Sequence, residues 1–99
     1  MVIKVLDYVD QCQSNGDGIV IHDIIKPKLE NGEEVVLSFE GVPSLPSSFV
    51  NSALISLLDE MPFERIKSLL RFVHTNSQMN SMIRDRFGFE VKRHSTALA

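Results

Sequence analysis

The stretch VVLSFEGVPSLPSSFVNSALISLL, from Val35 to Leu58, carries the change of hydrophobic period on which the fold turns. Its first half lies within EEVVLSFEGV, Glu33 to Val42, a short apolar run rich in β-branched residues. Asn31-Gly32 and Gly41 bound it, which predicts a strand. So continuous a run fits a central strand buried on both faces. The second half sets Phe49, Ala53, Leu54, Leu57, Leu58 and Met61 on one helical stripe that Pro62 ends. A loop from Pro43 to Pro46 joins the two, and the adjacent hydroxyls of Ser47 and Ser48 stand where the helix opens. A helix apolar on one side only, following a buried strand, packs on a sheet.

Upstream, Val2 to Val9 reads as a first strand from its Val, Ile and Leu content, and QCQSNGDG, residues 11 to 18, as a turn supplied by Asn-Gly and Asp-Gly. Between residues 19 and 31, Ile21, Ile24, Ile25 and Leu29 recur at helical spacing, with Asp17 as a cap and Gly32 as a stop. Pro27 opposes an unbroken helix, because it lacks the N–H and crowds the preceding turn. The alternative is an extended Ile19 to Ile21 with the helix beginning near Asp23. Downstream, Pro62 to Leu69 adds a helical turn and LLRFVHT, Leu69 to Thr75, a strand. A helix from Pro62 through Val73 competes, since Phe63, Ile66, Leu69, Leu70 and Val73 also match its period. Asn76 or Ser77 can cap a last helix that turns Met79, Met82, Ile83 and Phe87 inward, with Gly88 at C′. FGFEV, Phe87 to Val91, can close the sheet as an edge strand.

This alternation of strands and helices predicts an α/β layer fold. Its 99 residues suffice for one domain, which at this size buries about two-thirds of the surface of its unfolded chain. We expect the domain to span residues 1–91 and residues 92–99 to form a flexible tail. A formal charge of −3 and a pI near 5.5 argue against nucleic acid as a partner, and the one basic cluster, Lys92, Arg93 and His94, lies in that tail. A single cysteine, Cys12, forms no internal disulfide. The opening MVIKVLDYVD has acids where a signal peptide needs an apolar run, and no stretch nears the ~20 apolar residues of a membrane span. The expectation is a cytoplasmic protein without membrane contact.

At Ser47 and Ser48 two uses of a hydroxyl compete. One is a helix cap. The other is a phosphoacceptor, since a helix start stabilises added negative charge. The residues in question resemble the core of STAS domains, the anti-sigma factor antagonist fold, whose pattern is a hydrophobic strand, a short loop and Asp-Ser-Ser-Gly opening a helix. They are more similar to a STAS-like family of unknown function, found in bacteria and phages, which reads strand, Phe-x-Gly-Val, loop, Ser-Ser-Phe, helix. Here those positions are Phe39, Gly41 and Val42, then Ser47, Ser48 and Phe49, and LLRFVHTNSQMNSMIRDRF resembles the family's later strand, Asn-containing turn and final helix. The likeness covers about Asp17 to Phe87.

That resemblance implies a mixed sheet of about four strands with helices mainly on one face. It also implies a regulatory protein–protein interaction module rather than an enzyme, working with a histidine-kinase-type ATPase that phosphorylates the loop serine. By position the acceptor is Ser48, with Ser47 its neighbour, and Pro46, Ser47, Ser48 and Asn51 form the candidate docking edge. Two positions depart from the antagonist pattern: Pro46 replaces the Asp and Phe49 the Gly. Without that carboxylate phosphorylation loses support, whereas docking does not. Phe49 reads first as a core side chain and second as an exposed anchor. The alternative function is a constitutive binding or assembly subunit, phage-borne or a homodimer, with no phosphorylation.

Other chemistry finds little footing. His22, His74, His94 and Cys12 lack metal-ligand spacings, so no metal site and no cofactor are expected. The G-x-S-x-G elbow of a hydrolase is missing around Ser48, although His74, following a strand, is the one base that could approach. SNGDG lacks the lysine and spacing of a phosphate-binding loop, and Asp7, Asp10 and Asp17 are too scattered for calcium. Arg65, Lys67 and Arg71 make a small solvated basic face, and Met79 and Met82 read as core filler or an adaptable binding surface.

Overall fold

In a computed structural model, residues 2–98 are described, with side chains described for residues 2–92. Three strands, β1 (Val2–Lys4), β2 (Val35–Ser38) and β3 (Leu70–Val73), alternate with four helices, α1 (Asn15–Glu30), α2 (Ser47–Ala53), α3 (Phe63–Leu69) and α4 (Ser77–Leu98). The sheet order is β1-β2-β3 and both pairings are parallel, with Ile3 beside Leu37 and Leu37 beside Phe72. The stretch centred on Val35 is thus the middle strand, as its sequence predicts. Alternation puts Ile3, Val35, Leu37 and Leu70 on one buried face with Phe39 just beyond. On the opposite face Ser38 is buried and Val36 half-buried, but Val2, Lys4, Arg71 and Val73 are exposed. Burial on both faces therefore holds only for part of β2.

The sheet differs from the expected mixed, four-stranded one: among the described residues it has three strands, all parallel. FGFEV lies inside α4, because Met79, Ile83 and Phe87 continue a four-residue spacing that keeps Phe87 buried and leaves Phe89 58% exposed. Gly88, expected at C′, is mid-helix. The backbone of α4 runs on to Leu98 through the segment expected as a tail, residues 92–99. Side chains beyond Lys92, and residue 99 altogether, lie outside those described. No helix among the described residues is long and apolar enough to cross a membrane.

The first strand ends at Lys4 rather than Val9. Lys4 stands opposite Ser38, the last residue of β2, so no partner remains beyond it. The chain turns through a 3₁₀ segment, Val5–Asp7, whose first carbonyl accepts from the N–H groups of Tyr8 and Val9. The expected turn at residues 11–18 is likewise largely helix. Ser14 caps α1 through a capping box: its Oγ accepts from the Asp17 N–H at 3.2 Å, and the Asp17 carboxylate accepts from the N–H groups of Ser14 and Gln13. Asp17 is therefore the third helical residue, and Asn15, Gly16 and Gly18 lie within the first turns.

Once started, α1 passes through Pro27, so the helical reading of residues 19–31 prevails over the extended one. Pro27 falls in the last turn, so it forfeits one N–H bond but leaves only Lys28–Glu30 of the helix beyond it. The stop is at Gly32, with φ +79°. Its N–H donates to the Leu29 carbonyl and that of Glu33 to Lys28, satisfying carbonyls that the helix end leaves free. Arg65 of α3 adds a third element, donating from Nε to the Leu29 carbonyl at 3.1 Å and from a terminal nitrogen to the Glu30 carbonyl at 2.7 Å.

After α2 the regular helix ends early. The Ser56 hydroxyl donates to the Ser52 carbonyl at 2.7 Å, occupying the acceptor its own N–H would use in an α-helix. Residues Ile55–Asp59 form a 3₁₀ segment instead. The inward stripe survives the change of pitch: Phe49, Ala53, Leu54, Leu57 and Met61 are all buried. Lys26 of α1 reaches across to Glu60 at 2.7 Å, and that hydrogen bond holds its ammonium above the usual lysine pKa. Residues 70–73 adopt the strand rather than the helical alternative, as pairing with β2 gives their backbone groups partners.

Candidate functional site

At the C-terminal end of β2 the chain leaves the sheet through a tight reversal. The Val42 N–H donates to the Phe39 carbonyl at 3.0 Å, and Gly41, third of the four residues, has φ +86° as in a type II turn. A Cβ at Gly41 would also stand 3.0 Å from Leu6 Cδ1.

The Pro43–Pro46 loop that follows is clamped by the start of α4. The Leu45 N–H donates to Gln78 Oε1 at 2.9 Å and Gln78 Nε2 donates to the Leu45 carbonyl at 3.0 Å, so one side-chain amide pairs with the loop as a neighbouring strand would. Asn76 works from both ends of its amide. Its Oδ1 caps α4 by accepting the Met79 N–H at 2.9 Å, and its Nδ2 donates to the Pro43 carbonyl at 2.9 Å. Buried Leu45 anchors the loop from beneath.

Pro46 is the N-cap of α2, with φ −78° and ψ 159°, and no side chain caps this end. Ser47 and Ser48 are the first and second helical residues, and both are exposed. Their hydroxyls are not used as caps, so the first of the two uses expected for them is not the one seen. Phe49, next in line, is fully buried and meets the edge of Phe39 with ring centroids 6.4 Å apart. It is a core side chain. Asn51 is half-buried, and its Oδ1 accepts from Arg86 Nε at 2.8 Å, a tie between α2 and α4 that Arg86 extends to Glu90 at 3.2 Å. Of the four candidate docking residues, then, Ser47 and Ser48 are exposed and make no side-chain hydrogen bond among the described residues, Pro46 is half-buried and Asn51 is engaged inside the molecule.

Around this turn, the histidines and the cysteine are placed as follows. His74 sits past the end of β3, exposed, with φ +56°, and hydrogen-bonds neither serine among the described residues. His22 pairs with its neighbour Asp23 at 3.2 Å. Burial, reinforced by the charge of Asp17, pushes the Cys12 thiol up to about 12, which removes the thiolate needed for nucleophilic chemistry at neutral pH. Among the described residues no group of three or more His, Cys, Asp or Glu could hold a metal ion.

The clamp was beyond sequence reasoning. Asn76 is visible as a helix cap, but nothing in the sequence pairs Gln78 with Leu45, 33 positions away. Gly18 was equally hidden. A Cβ there would lie 2.7 Å from Ser52 Cβ and 2.8 Å from the Phe49 carbonyl oxygen, so its absence lets α1 and α2 touch.

A family model described as a STAS-like domain of unknown function matches residues 17–80, from the first turn of α1 to the first turn of α4 and across the whole serine turn. No curated protein and no solved structure gives a significant match.

Proposed function

The chain belongs to the STAS-like domain family of unknown function, and from that premise we propose that it is a non-enzymatic interaction module of regulatory type, docking a protein partner at its Ser47–Ser48 edge. One observation carries this reading: both serines are exposed at the start of α2 and spared from capping, while the loop before them is held by Gln78 and Asn76. A preorganised, polar, exposed edge loses little conformational freedom on binding. Scarcity of catalytic groups around it fits a family whose members are generally non-enzymatic.

Regulation enters through the same hydroxyl. Phosphate on Ser48 adds ~1.5–2 negative charges in the middle of the docking edge and so weakens or reverses partner choice. The kinase would be the partner itself, an ATPase of the histidine-kinase type. A constitutive assembly subunit, including a homodimer, is the second reading. It is favoured by Pro46, which stands where the antagonists carry a carboxylate.

The test is quantitative pull-down with the wild-type chain, Ser48→Ala and Ser48→Asp, alongside size-exclusion chromatography and phosphopeptide mass spectrometry. A partner retained by wild type and by Ser48→Ala but reduced at least about tenfold by Ser48→Asp supports the regulated module, since an uncompensated charge at an interface costs more than the ~1.4 kcal/mol that tenfold represents. A stable complex or dimer indifferent to all Ser48 variants, with no phosphopeptide, supports the constitutive subunit and removes the serine edge from the interface.

A further inference from the structure

A second feature shares no residue with the serine edge. Residues of α3, β3 and α4 line a cleft of about 260 Å³. Its walls are apolar: Ile66, Leu70, Ile83 and Phe87 are buried, and the Phe63 and Phe87 rings face each other with centroids 5.4 Å apart and planes at 45°. Phe72 of the edge strand completes the floor.

The rim has the opposite character. Among the described lining residues the charged ones are Lys67, from α3, and Arg84, from α4, and no carboxylate joins them. Two cations without an acid is an uneven choice for a chain whose formal charge is −3. Lys67 is exposed and makes no ion pair among the described residues. Arg84 is loosely held, 3.9 Å from Asp85 with both side chains 75% exposed and 3.5 Å from the Ser81 hydroxyl. Asn80 adds one neutral polar group to the lining.

We propose that this cleft is a binding site for a small amphiphilic carboxylate of the medium-chain fatty-acid class. The alkyl chain lies against Phe63, Ile83 and Phe87, and the carboxylate meets Lys67 and Arg84 at the mouth. An apolar cavity with a few convergent polar groups is the usual form of a small-molecule site. The volume lies just below the ~300–1,000 Å³ of sites for drug-sized ligands, so it suits a short chain. A guanidinium offers the paired donors that a carboxylate accepts. Polar, multiply charged ligands such as nucleotides are disfavoured by the phenylalanine walls, where their polar groups would go unpaired.

The experiment is a titration of the full chain, with labelled isoleucine methyl groups, by octanoate, hexanoate, octan-1-ol and octylammonium. Octanoate is expected to shift the Ile66 and Ile83 signals saturably with a Kd on the order of 0.1–1 mM, given its size and the affinity available per atom. Removing two methylenes in hexanoate weakens binding by up to about fourfold per methylene. The alcohol and the ammonium bind at least about tenfold more weakly, because the cationic rim selects charge. The surface substitutions Lys67→Glu and Arg84→Glu together reproduce that tenfold loss. No saturable shift at Ile66 and Ile83, equal binding of the alcohol or the ammonium, or octanoate affinity unchanged by the double charge reversal would each overturn the proposal. The ligand comparisons use the unaltered protein, so the result does not hinge on how a variant folds.

Discussion

Replacing Gly18 by alanine should destabilise the protein, although the same change in an ordinary helix stabilises it. In a helix interior Gly→Ala gains about 0.8–1.0 kcal/mol. At Gly18 the new methyl would sit 2.7 Å from Ser52 Cβ, 2.8 Å from the Phe49 carbonyl oxygen and 3.1 Å from the Ala53 amide nitrogen. Optimal carbon contacts lie near 3.5–4.0 Å, so α1 and α2 must part by roughly 0.5–1 Å, and each contact along their interface loses a quarter to a half of its attraction. Overpacking of this kind costs ~1–3 kcal/mol, and the upper end applies here because the obstacles are main chain and a Cβ rather than a flexible tip. Net of the propensity gain, we expect a loss of about 1–2 kcal/mol. That corresponds to a Tm lowered by about 5–15 °C in a domain of this size. Gly88 is the control, a helical glycine with nothing within 4 Å of an added Cβ, where alanine should raise stability by about 0.5–1 kcal/mol. Urea and thermal unfolding followed by far-UV circular dichroism, at unchanged m value, measure both. If Gly18→Ala proved as stable as the parent while Gly88→Ala gained, the close contact between the helices would be disproved.

Three other perturbations probe separate parts of the structure. Arg65→Ala should cost about 1 kcal/mol in urea unfolding by stripping the Glu30 carbonyl of its donor and leaving the Leu29 carbonyl with main-chain donors alone, and Arg65→Lys should recover less than half, as an ammonium cannot span both. Gln78→Ala should cost about 1–2 kcal/mol and speed proteolysis within residues 43–48, because the Leu45 N–H and carbonyl lose their partner together. Cys12 makes stability fall with alkaline pH: its thiol is raised from about 9 to about 12 on folding, so between those values the unfolded chain binds fewer protons, and stability drops by about 1.4 kcal/mol per pH unit. Denaturant midpoints measured from pH 8 to 10, below the range in which Lys26 titrates, should show that decline in wild type and lack it in Cys12→Ala.

What the sequence disclosed, and what it hid, divides along physical lines. The middle strand, the α2 stripe and the inward face of α4 were legible because each is a periodic run of apolar residues, and the exposed turn at Ser47 and Ser48 followed from their junction. Wherever a local signal had two meanings, tertiary context chose. SNGDG has the composition of a reversal, yet Ser14 and Asp17 form a capping box and Gly18 is a packing contact. LLRFVHT fits two periods, and pairing with β2 selects one. Val5 to Val9 has strand content but no strand left to pair with. FGFEV has strand content too, but it continues the α4 face set by Met79 and Ile83. At the candidate site the serines were readable and their support was not, since Gln78 and Arg86 act on residues more than thirty positions away.

An all-parallel sheet imposes an order of assembly. Val2 pairs with Val36 and Val35 with Leu70, so each pairing spans more than thirty residues and none can be made by a hairpin. Large loop-closure entropy must be overcome before any strand contact forms, which slows folding relative to a helical bundle of equal length. On a growing polypeptide, β1 emerges with no neighbour and β2 waits for β3. Throughout that interval the β-branched run Val35–Ser38 is an unsheltered edge, and it is the segment most prone to intermolecular association during synthesis.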